Sequence, residues 1–277
     1  MAERQDDVRR HYGISTLVET LLGELKKQGH DPEKFKPEAL YPYDQLHGRE
    51  FLATKEHVAR LSLRPGMKVL DVGSGVGGPA RYIAATTSAT VDGVDLTHEF
   101  VEVATELTRR SGLSDKARFH QGDALALPFG GDHFDAAFCL YVAMNIEGKA
   151  ALATEIARVL KPGGKLVWNQ VVLGDKGAPT FPLPWASSPE YSFLLPPQEL
   201  RAAIEGAGLK ITEWTDESGT ITEWMRARQA EAKAGKQPPS ALGLAMGADF
   251  AERRRKYAEN MMEGRIGSIL AVAEKPR

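Results

Sequence analysis

The residues best suited to chemistry are a group of glycines and carboxylates in the first half of the chain. In Val69-Leu70-Asp71-Val72-Gly73-Ser74-Gly75-Val76-Gly77-Gly78 an apolar run enters a glycine turn, and Gly73, Gly75 and Gly78 satisfy G-x-G-x-x-G. Without Cβ atoms a backbone can turn sharply against a ligand, and a helix opening there offers its first free amides. That much suits any nucleotide-like ligand, a nicotinamide dinucleotide included. Asp71 tips the balance, because a carboxylate two residues before the first glycine repels a pyrophosphate and favours a cation. Asp95 ends the next apolar run, roughly 20 residues past the turn, where a carboxylate accepts hydrogen bonds from ribose hydroxyls. In Gly122-Asp123-Ala124 a third carboxylate stands where an adenine amino group can donate to it.

Such residues must be held at strand ends, and the surrounding pattern supplies the strands. Beyond Arg64-Pro65-Gly66, β-like runs alternate with helical ones: Lys68 to Val72 then Pro79 to Ala85, Thr90 to Asp95 then Glu99 to Ser111, Ala117 to Gln121, Phe134 to Leu140 then Gly148 to Leu160, and Lys165 to Val172. Strands spaced by helices predict βαβ crossovers and a mainly parallel, doubly wound α/β sheet with helices on both faces. Runs at Leu209 to Trp214 and Ile266 to Ala273 bring the strands to seven, and the alternation of the last predicts an edge strand. Leu17, Val18, Leu21, Leu22 and Leu25 recur at helical spacing within Val8 to Gln28, and a second helix is expected over about Glu50 to Leu61. Helices are also expected up to Gly206-Ala207-Gly208, over Thr220 to Lys233 and over Asp249 to Met262, with irregular Pro- and Gly-rich stretches at Gly174 to Pro197 and Gly235 to Gly247. The expected organisation is an N-terminal helical cap over 1–62 on a ligand-binding domain over 63–277, with substrate-side segments at 174–197 and 219–263.

In these motifs the chain resembles the class I methyltransferases that use S-adenosylmethionine. Val69 to Gly77 is similar to that family's first motif and Val91-Asp92-Gly93-Val94-Asp95 to its second strand. Gly122 to Phe129 is similar to its third, and Arg158-Val159-Leu160-Lys161-Pro162-Gly163-Gly164 to the turn into its fifth. The resemblance covers about Met67 to Val172 and implies a seven-stranded Rossmann-like fold, S-adenosylmethionine as cofactor and S-adenosylhomocysteine as product. It also implies that Gly73, Ser74, Gly75 and Gly77 line the methionine and ribose side, Asp95 and Leu96 the ribose and adenine, and Asp123 and Ala124 the adenine. Asp44 to Arg49 and Gly77 to Arg81 resemble the small-molecule branch that includes sarcosine and dimethylglycine, phosphoethanolamine and sterol methyltransferases. Tyr141-Val142-Ala143-Met144-Asn145-Ile146 departs from the glycine-derivative enzymes, which leaves the acceptor open.

Leu140 and Tyr141 follow the fourth strand, beyond the carboxyl edge where ligands of open α/β sheets sit, and are expected to touch cofactor or substrate. The aromatic loop around Tyr41, Tyr43, Asp44 and His47 can close over such a site, so Tyr41, His47 and Tyr141, with Asp44, are the candidates for handling an acceptor's proton. Thr180 to Ala186 exposes Phe181 and Trp185 on a proline-stiffened backbone, suited to stacking or to core packing. The run Glu252-Arg253-Arg254-Arg255-Lys256 is read as a solvated helix face.

Composition narrows the partners. With 35 basic against 37 acidic side chains the net charge is -2, which offers nothing to a polyanion such as nucleic acid. No apolar run is long enough for a membrane span. Cys139 is the single cysteine, so an intrachain disulfide and a Cys-rich metal site are both excluded, and the histidines show no metal-ligand spacing. The expectation is a cytoplasmic enzyme, monomeric or homodimeric, methylating a small organic acceptor at nitrogen or oxygen without a metal. A nicotinamide-dependent oxidoreductase and a non-catalytic binding module on the same fold are the alternatives.

Overall fold

A computed structural model describes residues 17–236, residue 243 and residues 249–277. The polar N-terminus, the start of the helix expected from Val8 and most of the irregular stretch before Gly247 lie outside the described residues.

Helix α1 (Leu17–Lys27) buries Leu17, Leu21 and Leu25, one face at four-residue spacing, against Phe35, Leu40, Val76 and the later Phe100, Val103 and Leu107. Helix α2 (Glu50–Arg60) follows, then the alternating part: β1 (Lys68–Val72), α3 (Gly78–Thr86), β2 (Thr90–Asp95), α4 (His98–Arg110), β3 (Ala117–Gln121), β4 (Phe134–Leu140), α5 (Lys149–Val159) and β5 (Leu160–Leu173). The chain ends with α6 (Pro197–Gly206), β6 (Lys210–Asp216), α7 (Ser218–Lys233), α8 (Phe250–Met262) and β7 (Ile266–Glu274).

The sheet runs β3-β2-β1-β4-β5-β7-β6, with β1 to β5 parallel and β7 antiparallel to both its neighbours. Central strands covered by helices on both faces have to be apolar throughout, and Val69, Leu70 and Val72 are fully buried. Leu70, Trp168 and Leu152 belong to the core on one face; Val69, Val167 and Ile83 belong to the other. Strand order reverses at β1 and β4, and the crevice beyond the carboxyl ends at such a switch point is where open α/β sheets bind ligands.

The expectation of an edge strand at the C-terminus is corrected. β7 is interior, between β5 and β6, and Ser268 through Ala273 are all buried. An unbroken apolar run from Ile269 to Ala273 marks a strand covered on both faces, whereas half-exposed Lys210–Asp216 is the true edge. β5 also starts at Leu160, earlier than the run from Lys165, because Leu160 pairs with Phe134 before a register shift.

Candidate active site

Gly73, Gly75 and Gly77 all have positive φ, at 71°, 50° and 79°. At Gly73 this is compulsory twice over, since a Cβ there would also overlap the Val142 side chain. The turn is fastened by Gly73 and Ser74 amides donating to Val94 O, at 2.8 and 3.1 Å. Asp95 adds a second fastening: Oδ2 accepts from the Gly75 amide at 2.8 Å and Oδ1 from the Thr97 amide at 2.9 Å, tying the turn to the start of α4.

The turn opens into a cleft of about 240 Å³ at the switch point. Gly73, Ser74, Gly75, Asp95, Leu96, Asp123, Ala124 and Leu140 line it, with His47 and Tyr141 at one side. Asp123 also accepts from the Leu125 amide at 2.8 Å, the local turn that such a residue makes with or without a ligand.

Asp71 is 3% exposed, lines the cleft, and leaves Oδ2 without a hydrogen bond. Burial, and then the Asp95 charge, hold its carboxyl well above the ordinary range. Asp95 is raised by burial as well, against the pull of its backbone donors. A buried acid beside a half-buried one on one cleft favours a ligand that brings positive charge.

Two of the sequence-derived residues lie elsewhere. Gly77 caps α3, and its missing Cβ leaves room for Phe119 and Arg81. Tyr41 stacks on Phe51 at 4.2 Å and meets Tyr82 edge-on at 5.7 Å, away from the cleft, with burial pushing its hydroxyl up to about 12. It packs; it does not reach a substrate. Asp44 lines the cleft, yet its carboxylate is committed to Arg81 at 2.9 Å and to the Gln45 amide, and both ions of the pair are fully buried. Arg81 reaches on to Thr108 Oγ1 at 3.2 Å, so this chain of contacts pins the aromatic loop to α3 and α4.

His47 lines the cleft with both ring nitrogens already engaged: Nε2 is 2.9 Å from Thr54 Oγ1 and Nδ1 is 3.2 Å from Gly48 O. Burial lowers its pKa to about 4, so the imidazole is neutral at neutral pH. Its ring stacks on Tyr141, centroids 6.0 Å apart. Tyr141 adopts φ 55°, a strained value for an aromatic residue, held by its amide donating to Asn169 O at 2.8 Å. Its hydroxyl fits because residue 48 is glycine, where a Cβ would stand 2.6 Å from Oη. Burial pushes that hydroxyl up to about 12, so at neutral pH it is a proton donor.

Behind the His47–Tyr141 wall lies a second cavity of about 100 Å³, formed with Glu50, Trp185, Trp224, Met225 and Arg254. The run Glu252 to Lys256 is therefore not solvated throughout: Arg253 is buried and donates to Leu183 O at 2.8 Å, and Arg254 stands on the cavity wall. Below, Glu217 takes His57 Nε2 at 3.2 Å, Asn169 Nδ2 at 3.0 Å and Arg49 at 3.5 Å, so the segment around α2 is bound to β5 and α7 through buried polar groups. Among the described residues no group of His, Cys, Asp and Glu could hold a metal ion.

A family model described as a methyltransferase domain matches residues 70–168. The methyltransferase GfsG of Streptomyces halstedii is 36% identical over 173 residues, 60% of each chain. A sterol 24-C-methyltransferase of Gibberella zeae is 39% identical over 125 residues, 45% of this chain and 33% of that one. The chain thus spans 60% of the length of the first relative and a third of the second. A solved structure described as the [4+2]-cyclase SpnF superposes with a TM-score of 0.70 over 99% of this chain and 97% of that one, at 24% identity. That likeness establishes the whole-chain fold, which is accordingly found in proteins not named for methyl transfer.

Proposed function

With residues 70–168 standing as a methyltransferase domain, we propose that the chain transfers a methyl group from S-adenosylmethionine to a small organic acceptor and releases S-adenosylhomocysteine. The observation that carries this reading is buried Asp71 at the glycine turn, its Oδ2 unpartnered, beside half-buried Asp95. A ligand bearing positive charge supplies what the pair lacks, and the same pair opposes the pyrophosphate of a nicotinamide dinucleotide.

S-adenosylmethionine, when bound, supplies an electrophilic methyl carbon on a sulfonium whose departure as a neutral thioether needs no help. The protein's own residues align and enclose. Asp95 and Leu96 face a ribose and adenine, Asp123 and Ala124 an adenine edge, and Gly73, Ser74 and Gly75 the methionine end. His47 and Tyr141 form the wall between the cleft and the second cavity, where alignment of the acceptor and exclusion of water have their effect. In this reading the first 62 residues cap the cleft, and 174–197 with 219–263 face the acceptor. Cys139, buried and with its thiol pushed up by burial, fits a reducing compartment, which we take to be the cytoplasm.

Calorimetric titration tests the proposal: S-adenosylhomocysteine binds, NADH does not, and Asp95→Ala weakens the first by at least tenfold, about 1.4 kcal/mol. Binding of NADH alone would turn the reading over to the oxidoreductase.

A further inference from the structure

The second cavity is walled mainly by rings and thioethers: Trp185, Trp224, Phe250, Tyr257, Met144 and Met225. Such a wall suits an apolar skeleton, and it also suits a cation held against aromatic faces. The charged side chains separate the two. Glu50 is the one carboxylate on the wall among the described residues, and it is ion-paired to Arg228 of α7. The other nitrogen of Arg228 lies 3.6 Å from half-exposed Glu231. Arg254 of α8 stands on the same wall with no hydrogen-bond or ion-pair partner among the described residues, and Glu50 is near enough only to feel its charge.

Among the described residues, an ammonium entering this cavity would find the one carboxylate already matched and the exposed Arg254 guanidinium without a counter-ion. His47 adds no charge, and the Tyr141 hydroxyl remains a donor. Neither is a free base at neutral pH. An acceptor that arrives as an oxygen anion needs none: its lone pair forms the O–C bond as the C–S bond breaks onto sulfur, and no proton has to leave.

We propose that this second cavity is the acceptor site and that it takes an apolar organic anion, a carboxylate or an acidic phenol or enol, in preference to an ammonium. The proposal rests on the methyl-transfer reading above. It departs from the amine acceptors found in part of the small-molecule branch that the loop around Asp44 to Arg49 resembles.

The test uses the full chain and three probes of one shape: 1-naphthoate, 1-naphthylmethylammonium and 1-naphthalenemethanol. Ligand-observed NMR titrations are run with and without S-adenosylhomocysteine. Naphthoate is expected to bind at least fivefold more tightly than the ammonium, and exposed Arg254→Met to bring the two within twofold. Trp224→Ala weakens all three probes if they occupy this cavity. An ammonium that binds as tightly as naphthoate overturns the proposal, as does a preference that survives in Arg254→Met or the failure of every probe to bind. S-adenosylhomocysteine, titrated in the same samples, reports on the first cleft. Its binding with the wrong order of probes sinks the acceptor assignment alone, and its absence sinks the methyl-transfer reading beneath it.

Discussion

Replacing Asp71 by Asn separates what this carboxylate does for the fold from what it does for a ligand. In the folded chain its carboxyl is raised above the unfolded value, by burial first and by the Asp95 charge second. A raised acid favours folding while it keeps its proton, so its contribution to stability is present below the unfolded pKa and is lost as pH rises through the folded value. Asp71 and Asp95 titrate as an interacting pair, and the loss belongs to the pair. Above that window the wild type carries an uncompensated buried charge. Asp71→Asn keeps the shape and removes the charge, so the free variant should gain stability over the wild type as pH rises through the folded value, its melting temperature rising relative to wild type by roughly 2–4 °C per kcal/mol. Its advantage should shrink toward acid pH.

Ligand binding should move the other way. A cationic ligand lowers the carboxyl pKa on binding, so the wild type releases protons and binds S-adenosylmethionine more tightly as pH rises. Asp71→Asn should bind it at least tenfold more weakly, about 1.4 kcal/mol, with little pH dependence. Thermal melts across pH, together with calorimetry in two buffers of different ionisation enthalpy, measure both halves. A variant that binds as well as wild type, or a wild type that releases no protons, refutes the reasoning.

Gly73→Ala must place a Cβ against Val142 at a positive φ, and S-adenosylhomocysteine binding should fall below detection in a protein destabilised by about 1–3 kcal/mol. Tyr141→Phe should lower kcat by about tenfold while S-adenosylhomocysteine affinity changes little; because the hydroxyl titrates only near 12, the pH–rate profile should keep its shape, and a full-rate variant would remove Tyr141 from the site. Asp44→Ala strands the Arg81 guanidinium in a fully buried position, and urea melts should show a loss of about 3–5 kcal/mol. His47→Ala should alter kcat without shifting the pH profile, since both ring nitrogens are engaged within the protein; a shifted profile would restore it as a base.

Much of this arrangement is written locally. Val69 to Val72, Val91 to Val94 and Phe134 to Leu140 are short apolar runs bounded by turn residues, and each forms the strand its pattern predicts. The glycine turn is legible for the same reason: the requirement for positive φ at Gly73 and Gly75 is a property of the turn itself. The acceptor side is harder because it depends on which distant residues meet. Tyr41 and Tyr141 are both loop tyrosines by sequence, and only Phe51 and Tyr82 closing around the first decide that it packs while the second faces a cavity. Glu217 and His57 are separated by 160 positions, and no spacing rule joins them. The Glu252 to Lys256 run held a usable signal, since a helix turns consecutive residues to different faces, so that Arg253 and Arg254 cannot share the solvated one.

The order in which the chain builds its two cavities has a practical consequence. The glycine turn and the carboxylates Asp71, Asp95 and Asp123 are complete before β5 ends at Leu173, whereas Pro184, Trp185, Trp224, Met225, Phe250, Arg254 and Tyr257 all follow it. Residues after Leu173 therefore supply most of the second cavity, with Leu46, His47, Gly48, Glu50, Tyr141 and Met144 from upstream, and an exchange of that half must also keep the buried ties of Glu217 to His57 and Asn169. Chimeras spliced after Leu173 should inherit their choice of acceptor from the downstream parent. In a scaffold divided this way, the choice of acceptor can diversify downstream while the glycine turn and its carboxylates stay as they are.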